Sequence, residues 1–126
     1  MKCLIVDDSP AMRRVVANSV KRFANFEISE AANGLEALDF LKINKVDLIL
    51  LDWLMPELDG LNFIKVIRSK EVWKNIPVLM ITTKSSKEDI IEAIKAGVNG
   101  YVVKPVVPIV LEEKINAVLS KNQKTD

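Results

Sequence analysis

Short apolar, β-prone runs alternate along this chain with longer stretches in which apolar residues recur every three or four positions. The first kind predicts strands at Lys2–Val6, Glu27–Glu30, Val46–Leu51, Val78–Ile81 and Tyr101–Val103. The second predicts amphipathic helices between them, with core stripes marked by Val16, Val20 and Phe23, by Leu38 and Leu41, and by Ile64 and Ile67. Regular alternation of strand and helix indicates parallel strands joined by helical crossovers, hence the α/β class with one doubly wound sheet. The first, third and fourth strands are the most uniformly apolar, as central strands covered on both faces are. Phe26-Glu27-Ile28-Ser29-Glu30 alternates as an edge strand can.

Punctuation supports this division. Ser9-Pro10 reads as an N-cap with proline at the first helical position, so the first helix starts directly after Asp7-Asp8. Asn33-Gly34 precedes a helical pattern and reads as a tight loop into the second helix. Gly97 is placed to end the fourth helix in a left-handed conformation. The fifth helix is expected from Pro108 to Ser120, with residues 121–126 a frayed polar tail.

Composition narrows the class. The 126 residues suit a single domain spanning 1–126, and 49% hydrophobic residues against 28% charged ones provide both a core and a solvated surface. Lysine and arginine number 18 and acids 17, and a net charge of +1 argues against nucleic acid as a general partner. Cys3 lies in an apolar strand and reads as a small buried hydrophobe. No stretch reaches the ~18 apolar residues of a membrane span and no signal h-region precedes Asp7, so a cytoplasmic protein without membrane insertion is expected. Histidine is absent, which removes His-based triads, histidine metal ligands and a phosphohistidine on this chain.

The candidate chemistry sits at strand ends. Asp7 and Asp8 follow the first strand, Asp52 the third, Thr82 the fourth and Lys104 the fifth. Parallel neighbours would bring them together at the carboxyl edge of the sheet, where open α/β folds place their sites. Two carboxylates ~4 Å apart repel by roughly 4 kcal/mol at an effective dielectric of 20, so clustered acids call for a cation. Hard oxygen donors favour Mg2+, with Mn2+ as a substitute. A carboxylate beside a cation and a lysine can attack a phosphoryl group, with Asp52 as nucleophile, Lys104 neutralising the transferred oxygens and Thr82 donating a hydrogen bond.

Four stretches carry a family resemblance: Leu4-Ile5-Val6-Asp7-Asp8-Ser9, Asp52-Trp53-Leu54-Met55-Pro56-Glu57-Leu58-Asp59-Gly60, Ile81-Thr82-Thr83, and Ala96-Gly97-Val98-Asn99-Gly100-Tyr101-Val102-Val103-Lys104-Pro105. Together they resemble the receiver domains of two-component response regulators, over essentially the whole chain, and most of all the single-domain chemotaxis regulators. The resemblance implies a flavodoxin-like five-stranded parallel sheet in the order 2-1-3-4-5 with five helices. It implies that Asp52 accepts a phosphoryl group from a histidine kinase, while Asp8, Asp52 and the backbone carbonyl of Leu54 bind magnesium and Asp7 holds it through water. Lys104 and Thr82 would contact the phosphoryl group, Tyr101 would turn inward as a switch, and Lys87 and Lys114 would share its output face. The Lys104-Pro105 bond is expected to be cis.

A switch of this kind acts as a monomer through phosphorylation-dependent protein binding, with a flagellar motor switch component as the expected target and a phosphatase as a further partner. It catalyses only its own phosphorylation and dephosphorylation. A phosphorelay intermediate that passes the group to another histidine is the alternative. The haloacid dehalogenase class shares the aspartyl nucleophile, but its second aspartate two residues on is Leu54 here. A flavodoxin would need an anion cradle where Asp7-Asp8 would repel phosphate. Three departures from the family pattern are Leu54 at a position often polar, Lys84 two past Thr82, where it could approach the phosphoryl group, and Val106-Val107 in place of a frequent phenylalanine. Leu54 cannot orient an attacking water, which predicts slow loss of the phosphoryl group. Trp53 is expected at the rim of the site or packed beside it.

Overall fold

The computed structural model describes residues 1–124. Five strands, β1 (Lys2–Val6), β2 (Glu27–Ala31), β3 (Leu48–Leu51), β4 (Val78–Thr82) and β5 (Gly100–Val103), alternate with α1 (Pro10–Lys21), α2 (Gly34–Ile43), α3 (Gly60–Ser69), α4 (Lys87–Ala96) and α5 (Pro108–Lys124). The strands form one parallel sheet in the order β2-β1-β3-β4-β5, so the apolar β1, β3 and β4 are central and the alternating β2 is an edge.

Side chains of successive strand residues point to opposite faces, and this sorts the core. Leu4, Val6, Ile49, Leu51, Val78 and Met80 pack with Ala37, Leu41, Phe63, Ile64, Ile67 and Ala93 beneath α2, α3 and α4. Cys3, Ile5, Leu48, Leu50, Leu79 and Ile81 pack on the other face with Val16, Val20, Leu111 and Ile115 of α1 and α5. Burial pushes the Cys3 thiol up to about 12, consistent with an inert hydrophobe.

Polar caps fix where the helices begin. Ser9, Asn33, Asp59 and Ser86 side chains accept the backbone N–H of Met12, Glu36, Asn62 and Asp89 at 3.1, 2.9, 2.9 and 3.0 Å. Gly97 ends α4 with φ of 121°, in the region that favours glycine. The Lys104-Pro105 bond is cis, as expected.

Strands β2 and β4 end one residue later, and β5 begins one residue earlier, than in the sequence reading, and two boundaries differ by more. β3 starts at Leu48 instead of Val46, because Asp47 is occupied with the first residue of β1: its N–H donates to the Lys2 carbonyl and its carboxylate accepts the Lys2 N–H at 2.7 Å. Helix α5 continues to Lys124, past the expected end at Ser120, since no glycine or proline stops it. Of the tail expected to fray, residues 125–126 lie outside the described residues. Among those described, no helix is long and apolar enough to cross a membrane.

Candidate functional site at the carboxyl edge of the sheet

Strand register builds the site. Val6 is paired with Leu51, so the next residues, Asp7 and Asp52, emerge side by side where the strand order reverses. The ladder continues one step beyond each strand: Asp7 N–H donates to Ala31 at 3.1 Å, Asp52 N–H to Val6 at 2.9 Å and Lys104 N–H to Thr82 at 2.9 Å. These bonds hold the candidate residues on the rigid sheet edge. Asp7, Asp52 and Thr82 are 4%, 7% and 0% exposed, whereas Asp8 is open to solvent.

The Lys104 ammonium reaches Asp7 Oδ2 at 3.0 Å and Asp52 Oδ2 at 3.3 Å. Asp52 Oδ1 accepts the Trp53 N–H at 2.7 Å, and Asp7 Oδ1 accepts the Ser9 N–H at 2.9 Å. Carboxylate oxygens of Asp7, Asp8 and Asp52 lie within 4.8 Å of one another. An all-oxygen donor set of this compactness fits a small hard cation.

Burial raises the Asp52 carboxyl above its ordinary value; Lys104 opposes this, Asp7 adds to it, and the Thr82 hydroxyl and Lys104 hydrogen bonds oppose it. Burial alone would lower Lys104, but its hydrogen bond to Asp7 and the charges of Asp52 and Asp7 outweigh that and hold the ammonium above its ordinary value. One lysine thus faces more negative charge than it balances.

The structure therefore gathers Asp7, Asp8, Asp52, Thr82 and Lys104. Leu54 follows in the β3–α3 loop and is 53% exposed. Tyr101 is half-buried on the edge strand β5 and donates its hydroxyl to the Lys84 carbonyl at 2.7 Å. It shares a groove of about 410 Å³ with Lys114, Ile90, Ile94 and Val103; Lys87, exposed at the start of α4, does not line it. Trp53 is buried beside Asp52. The Lys84 ammonium does not point into the acid cluster: it lies 4.3 Å from the centroid of the Trp53 ring and 3.6 Å from Asp89.

Two supporting residues escaped the sequence reading. Arg13 donates to the Asp7 carbonyl at 2.6 Å and pairs with Glu30 at 2.7 Å, locking α1 to the loop that carries the acids. Nothing in the helical pattern separates it from a solvated arginine. Gly60 approaches so closely that a Cβ there would lie 2.2 Å from the Asp52 carbonyl oxygen, and its N–H donates to Trp53 at 2.8 Å. Its position after a capping aspartate was the available signal.

Fold and site together define a flavodoxin-like α/β protein with an acidic, lysine-bridged centre at its topological switch point; flavodoxin and CheY are the known examples of this strand order. The model of the response regulator receiver domain matches residues 3–116. The chain is 46% identical over 123 residues to the chemotaxis protein CheY1 of Helicobacter pylori, covering 97% of this chain and 99% of that one. It is 45% identical over 121 residues to the chemotaxis protein CheY-3 of Vibrio cholerae, covering 96% and 93%. The solved chemotaxis response regulator CheY4 of Vibrio cholerae superposes with a TM-score of 0.86 at 36% identity, over 94% of this chain and 98% of that one. The chain belongs to the response regulator receiver family.

Proposed function

We propose that this protein is a phosphoaspartate-switched response regulator of chemotaxis and flagellar motor control, in which Asp52 takes a phosphoryl group from a histidine kinase. One observation carries the reading: a buried Asp52 has one oxygen held by the Trp53 N–H and the other against Lys104, within ligand distance of Asp7 and Asp8. An aspartate serving only as a turn acid would have no reason to be desolvated among like charges.

In the transfer, an Asp52 carboxylate oxygen forms the new P–O bond as the P–N bond to the donor imidazole breaks. The imidazole keeps the electron pair and takes up a proton. Lys104, already at the Asp52 oxygen, compensates the negative charge of the arriving phosphoryl oxygens, and the Thr82 hydroxyl turns to donate to them. Asp8, Asp52 and the Leu54 carbonyl would hold magnesium, with Asp7 reaching it through water, and the ion, for which manganese is the expected substitute, would supply the remaining positive charge. Tyr101, Lys87 and Lys114 then report the change on the face formed by α4, β5 and α5. The protein acts as a cytoplasmic monomer through a downstream protein target for which a flagellar motor switch component is the leading candidate. A phosphatase that shortens the signal would be its third partner.

Intact-mass analysis after incubation with acetyl phosphate tests the chemistry. One added phosphoryl group is expected in wild type with magnesium, and none in wild type without it or in Asp52→Asn. An unchanged wild-type mass with both acetyl phosphate and a phosphorylated histidine kinase would sink the proposal.

A further inference from the structure

Lys84 touches four parts of the molecule at once. Its ammonium lies over the ring of Trp53, the residue whose N–H holds Asp52 Oδ1, and beside Asp89 in the first turn of α4. Its backbone N–H is 3.4 Å from the Thr82 hydroxyl, and its carbonyl accepts the Tyr101 hydroxyl at 2.7 Å. Among the hydrogen bonds, ion pairs and cation–π contacts of the described residues, no other residue joins the phosphoacceptor loop, the end of β4, the start of α4 and the switch tyrosine.

We propose that Lys84 is a positioning residue that sets the state of Tyr101. Its side chain, strung between the buried Trp53 ring and Asp89, fixes the β4–α4 turn so that its own carbonyl meets the Tyr101 hydroxyl. A change at Asp52 reaches the output face through Trp53 and Lys84 as well as through Thr82.

The physical case rests on Trp53. An exposed lysine paired only with a surface carboxylate gains little from it. A cation over a tryptophan face gains more as the ring is desolvated, and this ring is buried beside the site. The rigid end of the strut is therefore Trp53, and the adjustable end is α4. Tyr101 senses the same neighbours: burial, then the charges of Asp89 and Asp52, push its hydroxyl up to about 12, so it remains a donor throughout neutral pH. The signalling consequence rests on the phosphoaspartate reading above; the placement of Tyr101 does not.

Tyr101 is the single tyrosine of the chain, so incorporating 3-fluorotyrosine gives one fluorine resonance that reports it alone. In protein free of metal and phosphoryl donor, Lys84→Met and Lys84→Gln are expected to shift that resonance toward its frequency in urea. Lys84→Arg keeps a cation for the ring and the carboxylate and is expected to stay at the wild-type position. A neutral variant coinciding with wild type overturns the inference, and so does Lys84→Arg moving as far as Lys84→Met. Adding magnesium and beryllofluoride as a phosphoryl mimic should then move the wild-type resonance further than that of Lys84→Met, and equal movement overturns the route through Lys84. A wild type that ignores the mimic would count against the phosphoaspartate reading, leaving the ligand-free comparison to decide the placement.

Discussion

The two ends of the sheet treat charge in opposite ways. At the carboxyl edge, Asp7, Asp8 and Asp52 crowd together with Lys104 as their shared cation, and burial pushes Asp52 away from its charged form. At the amino edge a single cation, Arg68, is surrounded by neutral acceptors. Its guanidinium donates to the carbonyls of Gly97 at 2.9 Å, Lys74 at 3.0 Å and Ile76 at 2.8 Å, and to Asn99 Oδ1 at 2.9 Å. Asn99 Oδ1 also accepts the Val78 N–H at 2.8 Å, so the network ties α3, the loop after it, the end of α4 and the start of β4. Burial draws Arg68 below its ordinary value, yet an arginine stays charged at any neutral pH. The comparison teaches that a half-buried charge is stabilising where hydrogen-bond partners saturate it, and that a buried one is a reserve for function where like charges leave it unbalanced.

The largest expected effect therefore lies farthest from the site. Arg68→Met leaves the Gly97, Lys74 and Ile76 carbonyls without this donor and Asn99 Oδ1 with only the Val78 N–H, and should cost about 2–4 kcal/mol in urea unfolding. Phosphorylation of Asp52 in the folded fraction should be unaffected. A loss below ~0.5 kcal/mol would erase the contrast between the edges, because Arg68 would then behave like any surface arginine.

Asp52→Asn should act in the opposite direction, removing all phosphorylation while stabilising the metal-free protein, by on the order of 1 kcal/mol at pH 7. The sign follows from the raised Asp52 value. A carboxyl whose value is higher in the folded state contributes stability that is present below the ordinary carboxylate range, about 3.9, and is lost as pH rises through the folded value. The advantage of the asparagine variant should accordingly be small at acid pH and widen toward neutrality. Magnesium should reverse it, since a ligand at 100 times its Kd adds about 2.7 kcal/mol to the protein that binds it. A wild type that outlasts Asp52→Asn in chelator at pH 7 would show that Lys104 already balances the site.

The same contrast explains what could be read from the sequence. Asp7, Asp52, Thr82 and Lys104 were legible because each follows or ends a strand, and parallel register carries strand ends to one edge without any knowledge of side-chain packing. The central strands were legible because Leu48-Ile49-Leu50-Leu51 and Val78-Leu79-Met80-Ile81 admit no solvent-facing side. Arg68 was not. It lies in the last turn of an amphipathic helix, where a basic residue suits the helix dipole, and its partners Gly97 and Asn99 are 29 and 31 residues away. Lys84 was legible as a lysine near the site but not as a lysine on Trp53, because the direction of a long flexible side chain is set by tertiary neighbours. The extra length of α5 was missed because a polar composition was read as an end signal where no breaker stands.

The smallest effect sharpens the comparison at one side chain of the active edge. Leu54 is more than half exposed and belongs to neither the core nor the ion-pair network, so replacing it should leave the unfolding midpoint within ~0.5 kcal/mol of wild type. On the phosphoaspartate reading proposed above, what it would control is water. A phosphoryl group on Asp52 would be lost by in-line attack of a water on phosphorus, and an apolar Leu54 offers that water no hydrogen bond, while Lys84 is held away on Trp53 and Asp89. An asparagine amide could both accept from the water and donate to it, which should shorten the phosphoryl lifetime by a factor of about ten or less, up to ~1.4 kcal/mol of barrier. Loss of the added phosphoryl mass with time, after removal of donor, measures it directly. A longer lifetime in Leu54→Asn would mean that the leucine does not act by denying water a partner, and the rate would then have to be set by Lys104 and the metal ligands alone.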